Sequence, residues 1–101
     1  MPVTGDWDLT ITTPIGRIEP TVRITEEGGA LSGIAWTEGA EPEELLDLEF
    51  DGARLTWRQR VRRPLRLNLR FELDVDGDEL SGVSRAGRLP ASTVRGRRTR
   101  S

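Results

Sequence analysis

The segment LRLNLRFELDV, residues 65 to 75, decides the fold of this chain. Apolar side chains occupy every odd position of the segment, and polar side chains occupy every even position. Successive side chains of a strand point to opposite faces of a sheet, so this period of two predicts a strand with one buried face. The same period excludes an amphipathic helix over these residues.

Shorter runs of the same alternation begin at Trp7 and cover residues 46–50 and 55–61. Asp51-Gly52 and Asp76-Gly77 lie between alternating runs, and an Asp-Gly pair accepts the positive φ angles of a tight hairpin turn. Together these signals predict eight strands. The predicted ranges are 6–12, 17–25, 30–36, 44–50, 53–61, 65–75, 78–85 and 89–98.

Eight consecutive strands with mostly short turns predict an all-β, antiparallel, up-and-down arrangement. An open sheet would leave two exposed edges, so closure into an eight-stranded β-barrel is favoured. Four small residues, Gly33, Ala35, Gly82 and Ser84, fall on the inward face, where they would let a compact barrel bend. The expected organisation is one barrel domain over residues 1–101, with a basic tail at 95–101 that frays into solvent.

The amino-acid composition excludes several kinds of catalytic and metal-binding chemistry. The chain has 101 residues, a formal net charge of -2, and no His, Cys or Tyr, and all 15 of its basic residues are Arg. This excludes disulfides, Schiff bases, histidine bases and thiolate or imidazole metal ligands, so no cofactor and no metal site is predicted. The mild negative charge gives no reason to expect nucleic acid as a partner.

The location of the protein in the cell is also predicted from the sequence. No apolar run approaches the length of a membrane span, and the first residues do not resemble a secretory signal. We therefore expect a cytoplasmic protein with no membrane partner. The use of Arg in place of every Lys is typical of a GC-rich bacterial genome.

Gly5-Asp6-Trp7 resembles the start of the first strand in the calycin superfamily, which includes lipocalins, fatty-acid-binding proteins and avidins. In that superfamily a basic residue on the last strand packs across the Trp, and Arg95, Arg97 and Arg98 are the candidates here. Gly29-Ala30-Leu31-Ser32-Gly33 is similar to the second hairpin of avidin-type barrels. The resemblance implies a streptavidin-like cup that binds a small molecule. Biotin binding is not implied, because the chain lacks every Tyr.

In the predicted register, the walls of the cup near its open end share the inward face. These residues are Trp57, Gln59, Leu67, Leu69 and Ser84. Three arginines, Arg62, Arg63 and Arg88, are placed at the mouth, where guanidinium groups suit a carboxylate or phosphate. The sequence therefore predicts a protein that binds an apolar or amphipathic small molecule with an acidic end in the mouth of the barrel.

Two alternatives remain open at this point. One is a cofactor-free cyclase or isomerase that acts by shape on a hydrophobic, polyketide-like substrate, with no catalytic residue assigned. The other is a filled barrel that acts as a protein-interaction module or a homodimer through Ile34, Trp36 and Val83. Trp57 is either a ligand platform or core, and the amide of Gln59 either contacts ligand or is satisfied by water or Ser84.

Overall fold

The computed structural model describes residues 3–14, 16–61 and 67–99, and within them every regular element is a β-strand. The strands are β1 (Gly5–Thr13), β2 (Gly16–Ile18), β3 (Thr21–Glu27), β4 (Ala30–Trp36), β5 (Glu43–Glu44), β6 (Leu46–Phe50), β7 (Arg54–Val61), β8 (Leu67–Asp76), β9 (Glu79–Ala86) and β10 (Ser92–Arg98).

All of the strand pairs are antiparallel, in the order β5-β4-β3-β1-β10-β9-β8-β7-β6, with β2 on β1. The first and last long strands pair, so that Trp7 lies opposite Arg98, whose guanidinium stacks over the indole ring. The two ends of the order, β5 and β6, are separated in the chain by Leu45 alone. The sheet is therefore a nearly closed barrel, which confirms the predicted all-β antiparallel class.

The predicted count of eight strands is not confirmed, because two predicted strands are divided. The predicted strand 17–25 is interrupted at Glu19 and Pro20 into β2 and β3. Pro20 has no N–H to donate, although its carbonyl oxygen still accepts a bond from the Leu9 nitrogen at 2.9 Å. The pairings of Ile11 with Ile18 and of Trp7 with Val22 keep one register, so no bulge is needed. The predicted strand 44–50 is divided at Leu45.

The period of two in residues 65–75 is confirmed over β8, where Phe71 and Leu73 are buried and Arg70 and Asp74 are exposed. Large side chains from the alternating positions fill the interior of the barrel. The ring of Trp57 stacks on that of Phe71, with centroids 4.7 Å apart and an interplanar angle of 14°. The chain's own side chains therefore fill the core.

The basic C-terminal segment is paired in the sheet as far as Arg98. β10 is in register with β1 on one side and with β9 on the other. Beyond it, the Thr99 nitrogen donates to the Asp6 carbonyl oxygen at 2.8 Å. Paired backbone groups hold this segment in place despite its basic composition.

Candidate ligand-binding cleft

The residues predicted to line the mouth of the cup form a packed wall. Trp57 is 1% exposed, and its Nε1 donates to Oε1 of Gln59 at 3.3 Å. Gln59 in turn donates from Nε2 to Oε1 of Glu43 at 3.0 Å. Its amide is thus satisfied by an indole and a carboxylate rather than by Ser84, and Trp57 is part of the core.

The other residues predicted to line the mouth lie on the paired strands β8 and β9, close to Trp57 and Gln59. Ser84 is buried opposite Phe71, and Leu69, half-buried, lies opposite Gln59. Leu67 is also half-buried, near the start of β8. Arg88 is exposed in the turn between β9 and β10, whereas Arg62 and Arg63 lie outside the described residues. The structure brings the apolar wall together, and the predicted arginine contacts stay a prediction.

A cleft with a volume of about 560 Å³ lies at the other end of the barrel, between β4 and β6. We call it the seam cleft. Its lining consists of Val3, Thr4, Glu26, Gly29, Ala30, Leu31, Leu48, Glu49, Phe50 and Asp51.

The seam cleft opens because the strand segment after β4 changes its partner. β5 pairs with β4 through Ile34 and Ala35, and the Leu45 nitrogen still donates to the Gly33 carbonyl oxygen at 2.9 Å. β6 then pairs with β7, with a register shift between Leu46 and Glu49. Asp47, inside this shift, has a φ of 51°. A left-handed residue at a bulge redirects a strand, so β6 leaves β4 and a gap remains between them.

The floor of the seam cleft is apolar. Leu31, Leu48 and Phe50 are half-buried and pack against the core, and Val3 is 2% exposed. Exposed carboxylates surround this floor: Glu26 on β3, and Glu49 and Asp51 at the end of β6. The cleft therefore combines an apolar surface with a concentration of negative charge.

Asp51 is fixed by the backbone of the turn that follows it. Its Oδ1 accepts hydrogen bonds from the nitrogens of Arg54 at 2.7 Å and Ala53 at 2.9 Å. These two bonds stabilise the ionised form and hold the pKa of the Asp51 carboxyl below its usual value. Asp51 is consequently an anion at neutral pH, held in one position beside the cleft.

Sequence reasoning missed the seam cleft. The apolar alternation of Leu46, Leu48 and Phe50 predicted an ordinary strand, and nothing local to Asp47 indicates a positive φ. The available signal is the concentration of seven acidic residues from Glu38 to Asp51. Two of the three carboxylates around the cleft, Glu49 and Asp51, are among these seven.

The residues predicted to form a partner surface lie on two strands, Ile34 and Trp36 on β4 and Val83 on β9. Ile34 is 37% exposed, and Trp36 is half-buried with the guanidinium carbon of Arg23 at 5.4 Å from its ring centroid. Val83 lies on β9, which is separated from β4 in the sheet by β3, β1 and β10. A partner surface built on all three residues stays a prediction, with Val83 on a different side of the barrel.

Among residues 3–14, 16–61 and 67–99, no three side chains of metal-ligating type converge on one point. The same residues include no helix that could cross a membrane. In comparisons with protein-family models, curated proteins and solved structures, nothing matches this chain. Functional assignment therefore depends on the geometry of the seam cleft.

Proposed function

We propose that the protein is a calycin-type binding barrel that holds an amphipathic small molecule in the seam cleft, with the apolar part on the floor and a cationic group toward the carboxylates. The observation that carries this proposal is the combination of a cleft of about 560 Å³, an apolar floor and surrounding carboxylates. Clefts of roughly 300–1,000 Å³ are typical of small-molecule sites. The packing of Arg98 on Trp7 supports the calycin-type barrel.

The packed interior favours the seam cleft over the mouth as the ligand site. A ligand behind Trp57 would have to displace a stacked aromatic pair and the hydrogen-bonded amide of Gln59. Opening such a core costs several kcal/mol, on the order of the penalty for truncating a buried aromatic side chain. A ligand on Leu31, Leu48 and Phe50 covers surface that the barrel leaves half-exposed. The acidic ligand expected from Arg62, Arg63 and Arg88 remains a separate prediction.

The apolar floor and the carboxylates contribute in different ways. Each buried methylene group of a ligand contributes about 0.8 kcal/mol, so the alkyl part determines most of the affinity. An exposed ion pair contributes about 0.2–1 kcal/mol, so the carboxylates mainly determine which charge is accepted. We therefore expect a preference for cationic over anionic head groups on the same alkyl chain.

The test compares decylammonium with decanoate by calorimetric titration, both below their micelle-forming concentrations. Decylammonium should bind at least about tenfold more tightly than decanoate. The reason is that two or more cleft carboxylates form weak ion pairs with the ammonium group and repel the carboxylate of decanoate. The double variant Glu26→Gln/Glu49→Gln should weaken decylammonium binding about five- to tenfold. The matched control Glu41→Gln/Glu44→Gln makes the same change in net charge away from the cleft. Equal losses in both variants, or tighter binding of decanoate, would contradict the proposal.

The filled interior favours one second candidate, an interaction module that acts through its outer surface. Ile34 and Trp36 on β4 are the neighbouring residues available for such a contact. Native mass spectrometry distinguishes the two candidates, because a bound small mass supports the ligand site and a doubled mass supports self-association. A doubled mass that Trp36→Ala abolishes would assign the contact to β4.

A further inference from the structure

Three arginines lie side by side on the outer face of the barrel. The register of β7, β8 and β9 places Arg58 directly opposite Arg70, and Arg70 directly opposite Arg85. All three are exposed. We call Arg58, Arg70 and Arg85 the arginine row.

The arginine row differs from an oppositely charged pair on the same face. Four residues along each strand, Arg54 lies opposite Asp74, with 3.4 Å between Nε and Oδ1. Within the arginine row, the two outer members reach carboxylates elsewhere: Arg58 pairs with Asp47, and Arg85 pairs with Glu72 at 3.6 Å. The central guanidinium, that of Arg70, makes no ion pair with any of the described residues.

We expect this arrangement to lower the stability of the free protein at low salt. Like charges directly opposite on neighbouring strands repel, and a carboxylate in the middle position would remove the repulsion on both sides. The sheet uses that solution at Arg54 and Asp74 but not at Arg70. A destabilising cluster of identical charges on a regular surface is relieved when an anion binds across it.

We propose that the arginine row binds a compact polyphosphate group, of the kind found in inorganic diphosphate or in a nucleoside diphosphate. Guanidinium forks form paired, charge-assisted hydrogen bonds with phosphate oxygens. Neighbouring strands are about 4.8 Å apart, so two adjacent arginines span the size of one diphosphate group. Arg70, the central member, contacts the anion in every such arrangement.

The surroundings favour a compact anion over a long one. Glu72 and Asp74 follow Arg70 on the same face of β8, and Asp47 lies beside Arg58. An extended polyanion would cross these carboxylates, and the formal net charge of -2 offers it no general attraction. The arginine row lies on β7 to β9, apart from the seam cleft between β4 and β6, so this site is independent of the proposed ligand cleft.

The experiment is a calorimetric titration of the full chain with inorganic diphosphate, ADP and AMP at fixed, low ionic strength. Arg70→Gln removes the central cation, and Arg95→Gln is the matched control, since Arg95 is exposed but lies opposite the neutral Thr10 and Ser81. Diphosphate should bind the wild type, Arg70→Gln should weaken binding about tenfold, and Arg95→Gln should change it less than twofold. Absence of binding to the wild type, or equal losses in the two variants, would overturn the proposal.

The three titrants separate the sources of the anion. Equal affinities for diphosphate and ADP support the site with an inorganic source, and tighter binding of ADP supports it with a nucleotide source. AMP binding as tightly as ADP would overturn a polyphosphate site. A stability measurement provides a second readout: at low salt, Arg70→Gln should raise the midpoint of thermal unfolding and Arg95→Gln should not. A lower midpoint for Arg70→Gln would show that the row is not repulsive and would also overturn the proposal.

Discussion

The guanidinium carbon of Arg98 lies 4.2 Å from the centroid of the Trp7 ring. The same side chain donates from Nη1 to the Thr4 carbonyl oxygen at 2.6 Å and from Nε to Asp78 at 2.9 Å. The indole of Trp7 donates to the Val3 carbonyl oxygen at 2.9 Å. These contacts join the first strand to the last and fix Val3 and Thr4, which line the seam cleft.

Removal of this guanidinium should destabilise the barrel. Arg98→Leu loses the cation–π contact and leaves a carbonyl oxygen without its donor, so the free energy of unfolding should fall by about 1–3 kcal/mol. Arg98→Lys keeps the positive charge but loses the planar guanidinium with its several N–H donors, so its free energy of unfolding should be intermediate. Urea unfolding measures all three proteins, with Arg97→Leu as the control because the Arg97 side chain is 79% exposed. Equal effects at positions 97 and 98 would contradict this account.

The two phenylalanines of the chain should respond differently to truncation. Phe71 is 2% exposed and stacked on Trp57, so Phe71→Ala should lower the free energy of unfolding by about 3–5 kcal/mol. Phe50 is half-buried on the cleft floor, and Phe50→Ala should cost less stability while it weakens decylammonium binding. Thermal unfolding and calorimetry on the two variants check both halves. A larger stability loss at Phe50 than at Phe71 would show that the interior is not the tightly packed core described above.

Gly82 is required by the close approach of β8 and β9. A Cβ at this position would collide with the Glu72 carbonyl oxygen and lie 2.8 Å from the Leu73 Cα. Both are backbone atoms that no rotamer change can move, so Gly82→Ala should lower stability by several kcal/mol, on the order of a severe core lesion. Ser81→Ala, on the exposed face of the same strand, should change it by less than about 0.5 kcal/mol. Denaturant unfolding compares the two, and a tolerated Gly82→Ala would contradict the described pairing.

The turn carboxylate Asp51 should give part of the stability a dependence on pH. Backbone hydrogen bonds lower the pKa of Asp51 in the folded state below the ordinary value of 3.8, so its stabilising effect is complete above that value. The effect is lost as the pH falls through the lowered pKa, because protonation then favours the unfolded state. The stability difference between wild type and Asp51→Ala should therefore be constant near neutral pH and shrink in strong acid.

The control for this titration is Asp51→Asn, which keeps an oxygen acceptor at the same position but cannot ionise. Its stability difference from Asp51→Ala should not change over the acid range. Urea unfolding at a series of pH values measures both differences. A wild-type advantage that grows as the pH falls would contradict the assigned sign.

The strands of this barrel follow from local pattern where one face is buried. Residues 65–75 alternate because β8 packs one face on the core, and the pattern predicts the strand to within two residues at each end. The hairpin turn after β8 is predicted for the same kind of local reason, since Gly77 adopts a φ of 61°, although Asp76 itself pairs with Glu79 as the last residue of β8. Such features depend on residues that are close together in the chain, so they can be predicted from the local sequence.

The functional surfaces depend on pairings between distant residues, which local pattern does not determine. Asp47 sits in a run that alternates like any strand, so its positive φ and the gap beside β6 could not be predicted. The partner of Gln59 is Glu43, 16 residues earlier. The pairing of Arg58 with Arg70 depends on the register between β7 and β8, and a shift of that register would place other residues opposite each other.

The most direct test of the seam cleft is an NMR titration of the isotope-labelled protein with decylammonium. Binding in the cleft should shift the signals of Leu31, Leu48 and Phe50, while the Trp57 indole N–H and the Gln59 side-chain amide stay unchanged. The reverse pattern, with shifts at Trp57, Gln59 and Leu69 and none at Leu48, would place the ligand in the mouth and contradict the account.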